Sequence, residues 1–245
     1  MYRIHHSTGR RTIHAAPPSK CLLSVKRPTI DHTLKLTSKM LYAKWADGEF
    51  VILKLIDEEE VDVLRHLHNN QSTKGSRIIP LLDVVDRRVI VLPLRTPLPL
   101  FLRYDASAGD IGELALQFLE VVAYLQHSSV AHLDLKPDNI VSRSDPKLNV
   151  DLTIIDFHIS ILANANTTIS TLSGTDGWRA PEVLAGKPYY PLLENRWSCG
   201  CVLKPLTKHM EPSPLREKLC ILSQQLMNAD PSQRPPIPDR LSLCS

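Results

Sequence analysis

The segment His132-Leu133-Asp134-Leu135-Lys136-Pro137-Asp138-Asn139 sets a carboxylate, an ammonium two residues on and a carboxamide five residues on within one short stretch. Groups of these types take up protons, offset anionic charge and bind hard cations through oxygen. Seventeen residues beyond Asn139, directly after the hydrophobic Leu152-Thr153-Ile154-Ile155, stands Asp156-Phe157-His158. Gly174-Thr175-Asp176-Gly177-Trp178-Arg179-Ala180-Pro181-Glu182 follows, and then Asp230-Pro231-Ser232-Gln233-Arg234-Pro235. An isolated Asp with Lys at two and Asn at five arises by chance in many proteins. The full set of strings, in this order, does not. Lys54 closes the apolar run Val51-Ile52-Leu53; a lysine at a strand end is commonly only solvated.

These groups need elements to hold them. Leu41 to Trp45, a turn at Asp47-Gly48 and Phe50 to Ile56 predict a β-hairpin. Asp57 to Glu60 then open a short helix with Val61, Leu64 and Leu67 on one face, the negative charge suiting its N-terminus. Glu60 lies four and seven residues before Leu64 and Leu67, so it shares their buried face. Residues 69–76 predict a polar loop, and 78–85 and 89–92 predict two strands around the turn Asp86-Arg87-Arg88. Pro93, Pro97 and Pro99 predict an extended connector. Beyond it, Ile111, Leu114, Ala115, Phe118, Val122 and Leu125 predict a mostly buried helix over 111–127, opened by a capping box of Asp110 and Glu113. Leu152 to Ile155 reads as a strand, and further helices are predicted over 196–209 and 214–228.

The 245 residues, 43% apolar and 22% charged, exclude a wholly disordered or fibrous chain. No run approaches the roughly 20 apolar residues of a membrane-spanning helix. Net charge is only +3, too mild to indicate nucleic-acid binding, yet residues 1–30 carry six basic side chains and no acidic one, leaving −3 over the other 215. That stretch predicts a solvated basic tail, with an organelle-targeting peptide as the second reading. Five cysteines without an even disulfide spacing suggest a reducing compartment, and Cys199-Gly200-Cys201 reads as two small buried side chains.

In their order and spacing the four strings resemble the eukaryotic protein kinase family, closest to its Ser/Thr branch, over about residues 35–240. The resemblance implies an α+β, two-lobed fold: a small β-rich N-lobe over 31–94 and a larger, mainly helical C-lobe over 95–245, behind the tail at 1–30. It implies ATP and Mg²⁺, and a protein substrate offering a Ser or Thr hydroxyl. No nucleic-acid or membrane partner is expected, and oligomeric state stays open. Asp134 would accept or orient the substrate proton, Lys136 would offset charge at the γ-phosphate, and Thr175 would stand against both. Asn139 and Asp156 would bind the metal. Lys54 would hold the α- and β-phosphates with Glu60 as its partner, Glu58 and Glu59 being the alternatives. Leu92 would be the gatekeeper, and backbone groups of Pro93 and Arg95 would meet the adenine edge. Glu182 and Arg234 match a buried ion pair that anchors the activation segment. The compartment implied is cytoplasmic or nuclear, or mitochondrial if the tail is a transit peptide.

Several positions depart from the family. Between Gly9 and Gly48 there is no glycine, so Leu36-Thr37-Ser38-Lys39-Met40 stands where a glycine-rich loop would cradle phosphates. His158 replaces the glycine of Asp-Phe-Gly, Leu133 the arginine before the catalytic Asp, and Asn195 an Asp that accepts backbone N–H groups from the catalytic loop. An amide there risks leaving a donor unmet. The region after Leu206 is also short. Two readings follow: an active, divergent Ser/Thr protein kinase, or a pseudokinase serving as scaffold or allosteric module. A small-molecule phosphotransferase is disfavoured by Lys136-Pro137 and Ala180-Pro181-Glu182.

Overall fold

The computed structural model describes residues 4–7, 10–13, 30–35, 39–45, 49–69, 77–85, 88–104, 106–145 and 149–244. The turn at Asp47-Gly48, the segment Leu36 to Ser38 and most of the loop at 69–76 lie outside them. The chain divides into two units, Met1–Val61 with Ile79–Leu94, and Asp62–Ile78 with Arg95–Ser245.

In the first unit β1 (Ile4–Ser7) and β2 (Arg10–Ile13) pair antiparallel, in a stretch where the sequence carried no strand signal. β3 (Ile30–Lys35), β4 (Met40–Trp45) and β5 (Phe50–Leu55) lead to α1 (Glu58–Asn69), which continues into the second unit. β6 (Asp83–Val85) and β7 (Val89–Pro93) complete a five-stranded antiparallel sheet of order β3-β4-β5-β7-β6. Alternation sorts its two faces. Val51 and Leu53 are buried with Ala43 and Val91, whereas Lys54, Ile52 and Phe50 share the opposite face with Tyr42. The strand expected from residue 78 begins only at Asp83, because Pro80 has no N–H to give a ladder.

In the second unit β8 (Thr96–Pro97) and α2 (Leu98–Tyr104) replace the expected extended connector. Pro99 is the second residue of α2, where its missing N–H has no intrahelical partner to lose. α3 (Ala108–His127) runs through the core, burying Leu114, Phe118, Val122 and Leu125 as its spacing predicts. Its cap differs from expectation. Asp110 accepts the backbone N–H of Ser107 at 2.8 Å, while Glu113 pairs with Arg240 at 2.6 Å. β9 (Val130–Ala131), β10 (Ile140–Asp145), β11 (Asn149–Ile154) and β12 (Ile161–Leu162) form two small antiparallel sheets, β11-β10-β8 and β12-β9. α4 (Pro181–Leu184), α5 (Pro191–Lys208), α6 (Pro214–Leu226) and α7 (Arg240–Cys244) complete the chain. α5 begins at Pro191, five residues before the predicted start, with proline at a first-turn position that suits it. No helix among the described residues is long and apolar enough to cross a membrane. The architecture is α+β, a small sheet followed by a mainly helical part.

Candidate active site

Two clusters of chemistry-bearing side chains form, one in each unit. In the first, Lys54 near the end of β5 donates to Glu60 Oε1 at 2.7 Å. Glu60 is only 2% exposed, because the face of α1 that buries Leu64 and Leu67 also carries its carboxylate. Glu60, rather than Glu58 or Glu59, is therefore the partner of Lys54. Leu92 lies opposite Ile52 on β7 and is buried; Pro93 ends that strand opposite Val51. Arg95, in the second unit, sends its guanidinium inward to 3.7 Å from the Asp151 carboxylate.

In the second unit the Asp134 carboxylate collects three donors. Thr175 Oγ1 donates to Oδ1 at 2.7 Å, while Lys136 Nζ at 2.7 Å and Asn139 Nδ2 at 2.9 Å donate to Oδ2. Lys136 also donates to Thr175 Oγ1 at 2.6 Å, so the hydroxyl passes the interaction from ammonium to carboxylate. Oδ1 carries one of these donors and Oδ2 two, which leaves Oδ1 the oxygen able to take another proton donor.

This geometry is reached through two residues in left-handed backbone. Leu133 has φ +64° and Asp156 φ +68°, conformations costing side-chain-bearing residues roughly 1–3 kcal/mol each. What holds Leu133 is Asn195 on α5, whose Oδ1 accepts the backbone N–H of His132 at 3.0 Å and of Leu133 at 3.1 Å. Its Nδ2 reaches Val130 O at 3.4 Å, so the amide that replaces the family's carboxylate finds an acceptor of its own. Gly174, at φ +85°, brings Thr175 in: a Cβ there would stand 2.7 Å from Leu133 O. Only glycine fits this approach.

His132, unassigned in the sequence reading, joins the Asp134 loop to the Asp156 loop. It is wholly buried, and burial pushes its pKa down to about 4, so the ring is neutral. Nδ1 accepts from Asp134 N at 3.3 Å, so Nε2 carries the proton and donates to Ile155 O at 3.0 Å. Phe157 packs edge-on against it. Ile155 N donates in turn to Asn139 O at 3.0 Å, which sets the chain leading into Asp156 beside Asn139. Asn139 Nδ2 donates to both Asp134 O and Asp134 Oδ2 at 2.9 Å, turning its own Oδ1 the other way. A carboxamide oxygen and a carboxylate are hard donors of the kind Mg²⁺ takes. Among the described residues no three His, Cys, Asp or Glu side chains gather to hold a metal unaided, so such an ion would complete its shell from phosphate and water.

Glu182 and Arg234 form a bidentate pair at 2.6 and 2.8 Å, with Arg234 also donating to the carbonyls of Asn228 and Leu193. The segment before Thr175 is tied by its own groups and its neighbours: Ile169 and Tyr189 exchange backbone hydrogen bonds, Tyr189 OH donates to Thr171 O, and Arg179 donates to the carbonyls of Ser173 and Gly174. Cys199 is buried and Cys201 part-buried, and burial raises both thiols.

The family described as protein kinase domain matches residues 42–242. Human calcium/calmodulin-dependent protein kinase type IV is 36% identical over 106 residues, 43% of this chain and 22% of the relative. The Caenorhabditis elegans calcium/calmodulin-dependent protein kinase type 1 is 33% identical over 152 residues, 59% of this chain and 41% of the relative. The probable serine/threonine-protein kinase HSL1 of Saccharomyces cerevisiae is 30% identical over 170 residues, 67% of this chain and 10% of the relative. The chain thus spans less than half the length of each.

Proposed function

This chain belongs to the protein kinase domain family, and from that premise we propose that it is an ATP- and Mg²⁺-dependent protein kinase that phosphorylates Ser or Thr hydroxyls. The observation that carries the reading is the Asp134 carboxylate, aimed by Lys136, Asn139 and Thr175 with Oδ1 open to one more donor. Phosphoryl transfer asks a protein for alignment and charge neutralisation rather than covalent chemistry. Asp134 takes the proton of the substrate hydroxyl as its oxygen bonds to the γ-phosphorus and the bond to the leaving ADP oxygen breaks. Lys136 offsets the charge on the transferred group, and Thr175 keeps Lys136 and Asp134 in register. Asn139 and Asp156 would hold the metal, which when bound would supply charge neutralisation at the phosphates. Lys54, braced by Glu60, would hold the α- and β-phosphates, with Leu92 as gatekeeper and backbone groups of Pro93 and Arg95 at the adenine edge. On this reading residues 31–94 and 95–245 are the two lobes and 1–30 a basic tail.

A second reading, the same fold acting as a scaffold or allosteric binding module, is favoured by His158, whose Nδ1 lies 3.0 Å from the Asp156 carboxylate, and by the glycine-free stretch before Leu41. Thermal shift with Mg·ATP, followed by phosphate transfer from labelled ATP to a basic protein, separates the two. Active enzyme is expected to lose at least about a hundredfold in rate in Asp134→Asn while keeping nucleotide binding. Binding without transfer in the unmutated chain would favour the scaffold.

A further inference from the structure

The family's metal loop ends in a glycine, which contributes no side chain. Here His158 stands at that position, and a tight turn directs it. Ser160 N donates to Phe157 O at 3.0 Å, and Ser160 Oγ donates to His132 O at 3.1 Å. Phe157 is fully buried against His132, which fixes the start of the turn. His158 therefore remains at the surface while its Nδ1 is held 3.0 Å from Asp156 Oδ1.

That spacing has two physical meanings. With no ion it is a hydrogen bond. It is also the separation of two neighbouring ligands on an octahedral ion, since bonds of about 2.1 Å at right angles leave their donor atoms about 3.0 Å apart. The geometry points to His158 as a third protein ligand, an imidazole nitrogen added to the oxygens of Asp156 and Asn139, which turns the metal preference of the site from Mg²⁺ toward Mn²⁺ and its later neighbours. The inference rests on the kinase reading, which supplies the metal site. Its chemistry follows from the donors: Mg²⁺ is served by oxygen and dehydrates reluctantly, whereas an imidazole nitrogen adds affinity for first-row ions in an order that starts at Mn²⁺ and rises through Fe²⁺, Co²⁺ and Ni²⁺. On this inference His158 fills the place of one water in the shell of the ion while keeping its position beside Asp156.

The test uses the full chain with a non-hydrolysable ATP analogue and MnCl₂ or MgCl₂ as probes. Binding is read by loss of the free Mn²⁺ electron paramagnetic resonance signal and by calorimetry for Mg²⁺. Unmutated protein is expected to prefer Mn²⁺, with spin-echo modulation from a directly bound ¹⁴N. His158→Gly is expected to lose that modulation and about tenfold of the Mn²⁺ preference, with Mg²⁺ affinity held. Glycine is the family residue at this position; His158→Ala is the second variant should added backbone freedom loosen the turn. Mn²⁺ binding with no ¹⁴N modulation, or an unchanged Mn²⁺ to Mg²⁺ ratio in both variants, overturns the inference while leaving the kinase reading intact. Absence of binding by either ion, with or without the analogue, overturns both.

Discussion

Two buried titratable side chains pull the stability of this protein in opposite directions with pH. Glu194, on α5, is almost wholly buried, with its Oε1 accepting from Ser198 at 2.5 Å and, among the described residues, no hydrogen-bond partner at Oε2. Burial raises its carboxyl to about 7, from a usual 4.5. The folded protein therefore holds a proton that the unfolded chain releases, so this contribution is full below about pH 4.5 and is lost as pH rises through about 7. Glu194→Gln, neutral at every pH, should gain on the unmutated chain across that window, by up to about 3 kcal/mol. Urea midpoints of the two proteins at pH 4.5 and 8 check this; a difference that does not grow with pH refutes it. His132 works the other way. Its depressed pKa of about 4 gives stability that is full above about pH 6.5 and drains as pH falls toward 4. Asn195→Ala should orphan the N–H groups of His132 and Leu133, at roughly 1–3 kcal/mol for each donor left dry. It should also release Leu133 from its left-handed backbone. Loss of turnover beyond the loss of stability, in stopped assays below the melting point, would report that release.

At the scale of elements, glycines in two helices predict opposite outcomes for one chemical change. Gly112 sits in α3 with Met210 Cε 3.5 Å from where a Cβ would stand, an ordinary contact. Gly112→Ala should stabilise by about 0.5–1 kcal/mol through helix propensity. Gly200 sits where α5 crosses α6, and its Cβ would meet Met227 Cγ at 2.8 Å, Ser223 O at 2.9 Å and Leu226 Cβ at 3.0 Å. The backbone oxygen cannot swing aside, so Gly200→Ala should destabilise by about 1–3 kcal/mol despite the same propensity gain. Thermal melts of the two variants side by side decide it. The crossing is also why the sequence pair Cys199-Gly200-Cys201 has a structural reading: the glycine admits α6, with Cys199 buried and Cys201 part-buried, and burial raises both thiols.

For the molecule as a whole, the segment from Ile161 to Glu182 bears on regulation. Leu133 removes the arginine that would dock a phosphate, and the segment is instead tied by β12 on β9, the Ile169–Tyr189 bridge and Arg179. Its far end is anchored by Glu182 on the buried Arg234. Turnover after phosphatase treatment should therefore stay within about twofold of untreated protein, an expectation that a large loss would defeat. Arg234→Met should cost roughly 3–5 kcal/mol, because Glu182 then keeps a charge with no partner. A drop in melting temperature without any change in phosphatase sensitivity would separate anchoring from switching.

Much of this protein was legible from residue types and spacing. The strings around Asp134, Asp156, Glu182 and Arg234 carry the family, since groups brought together by one loop or one ion pair leave their spacing in the chain. The α3 stripe and the β4–β5 hairpin were equally open to reading, because a 3.6- or 2-residue period is a local property. Sequence pointed to Glu60 as the partner of Lys54 because it shares a face with Leu64 and Leu67, with Glu58 and Glu59 as alternatives, and in the structure it is Glu60 that Lys54 meets. It left the amide of Asn195 with an open question, answered by a carbonyl 65 residues away at Val130. β10, the start of α5 and the cap on α3 went unread because long-range pairing, a proline's place in a first turn and a serine's carboxylate partner depend on the packed surroundings. Neither the left-handed backbone at Leu133 and Asp156 nor the raised carboxyl of Glu194 has any signal in the chain, for both arise only when distant segments close around those residues and exclude water.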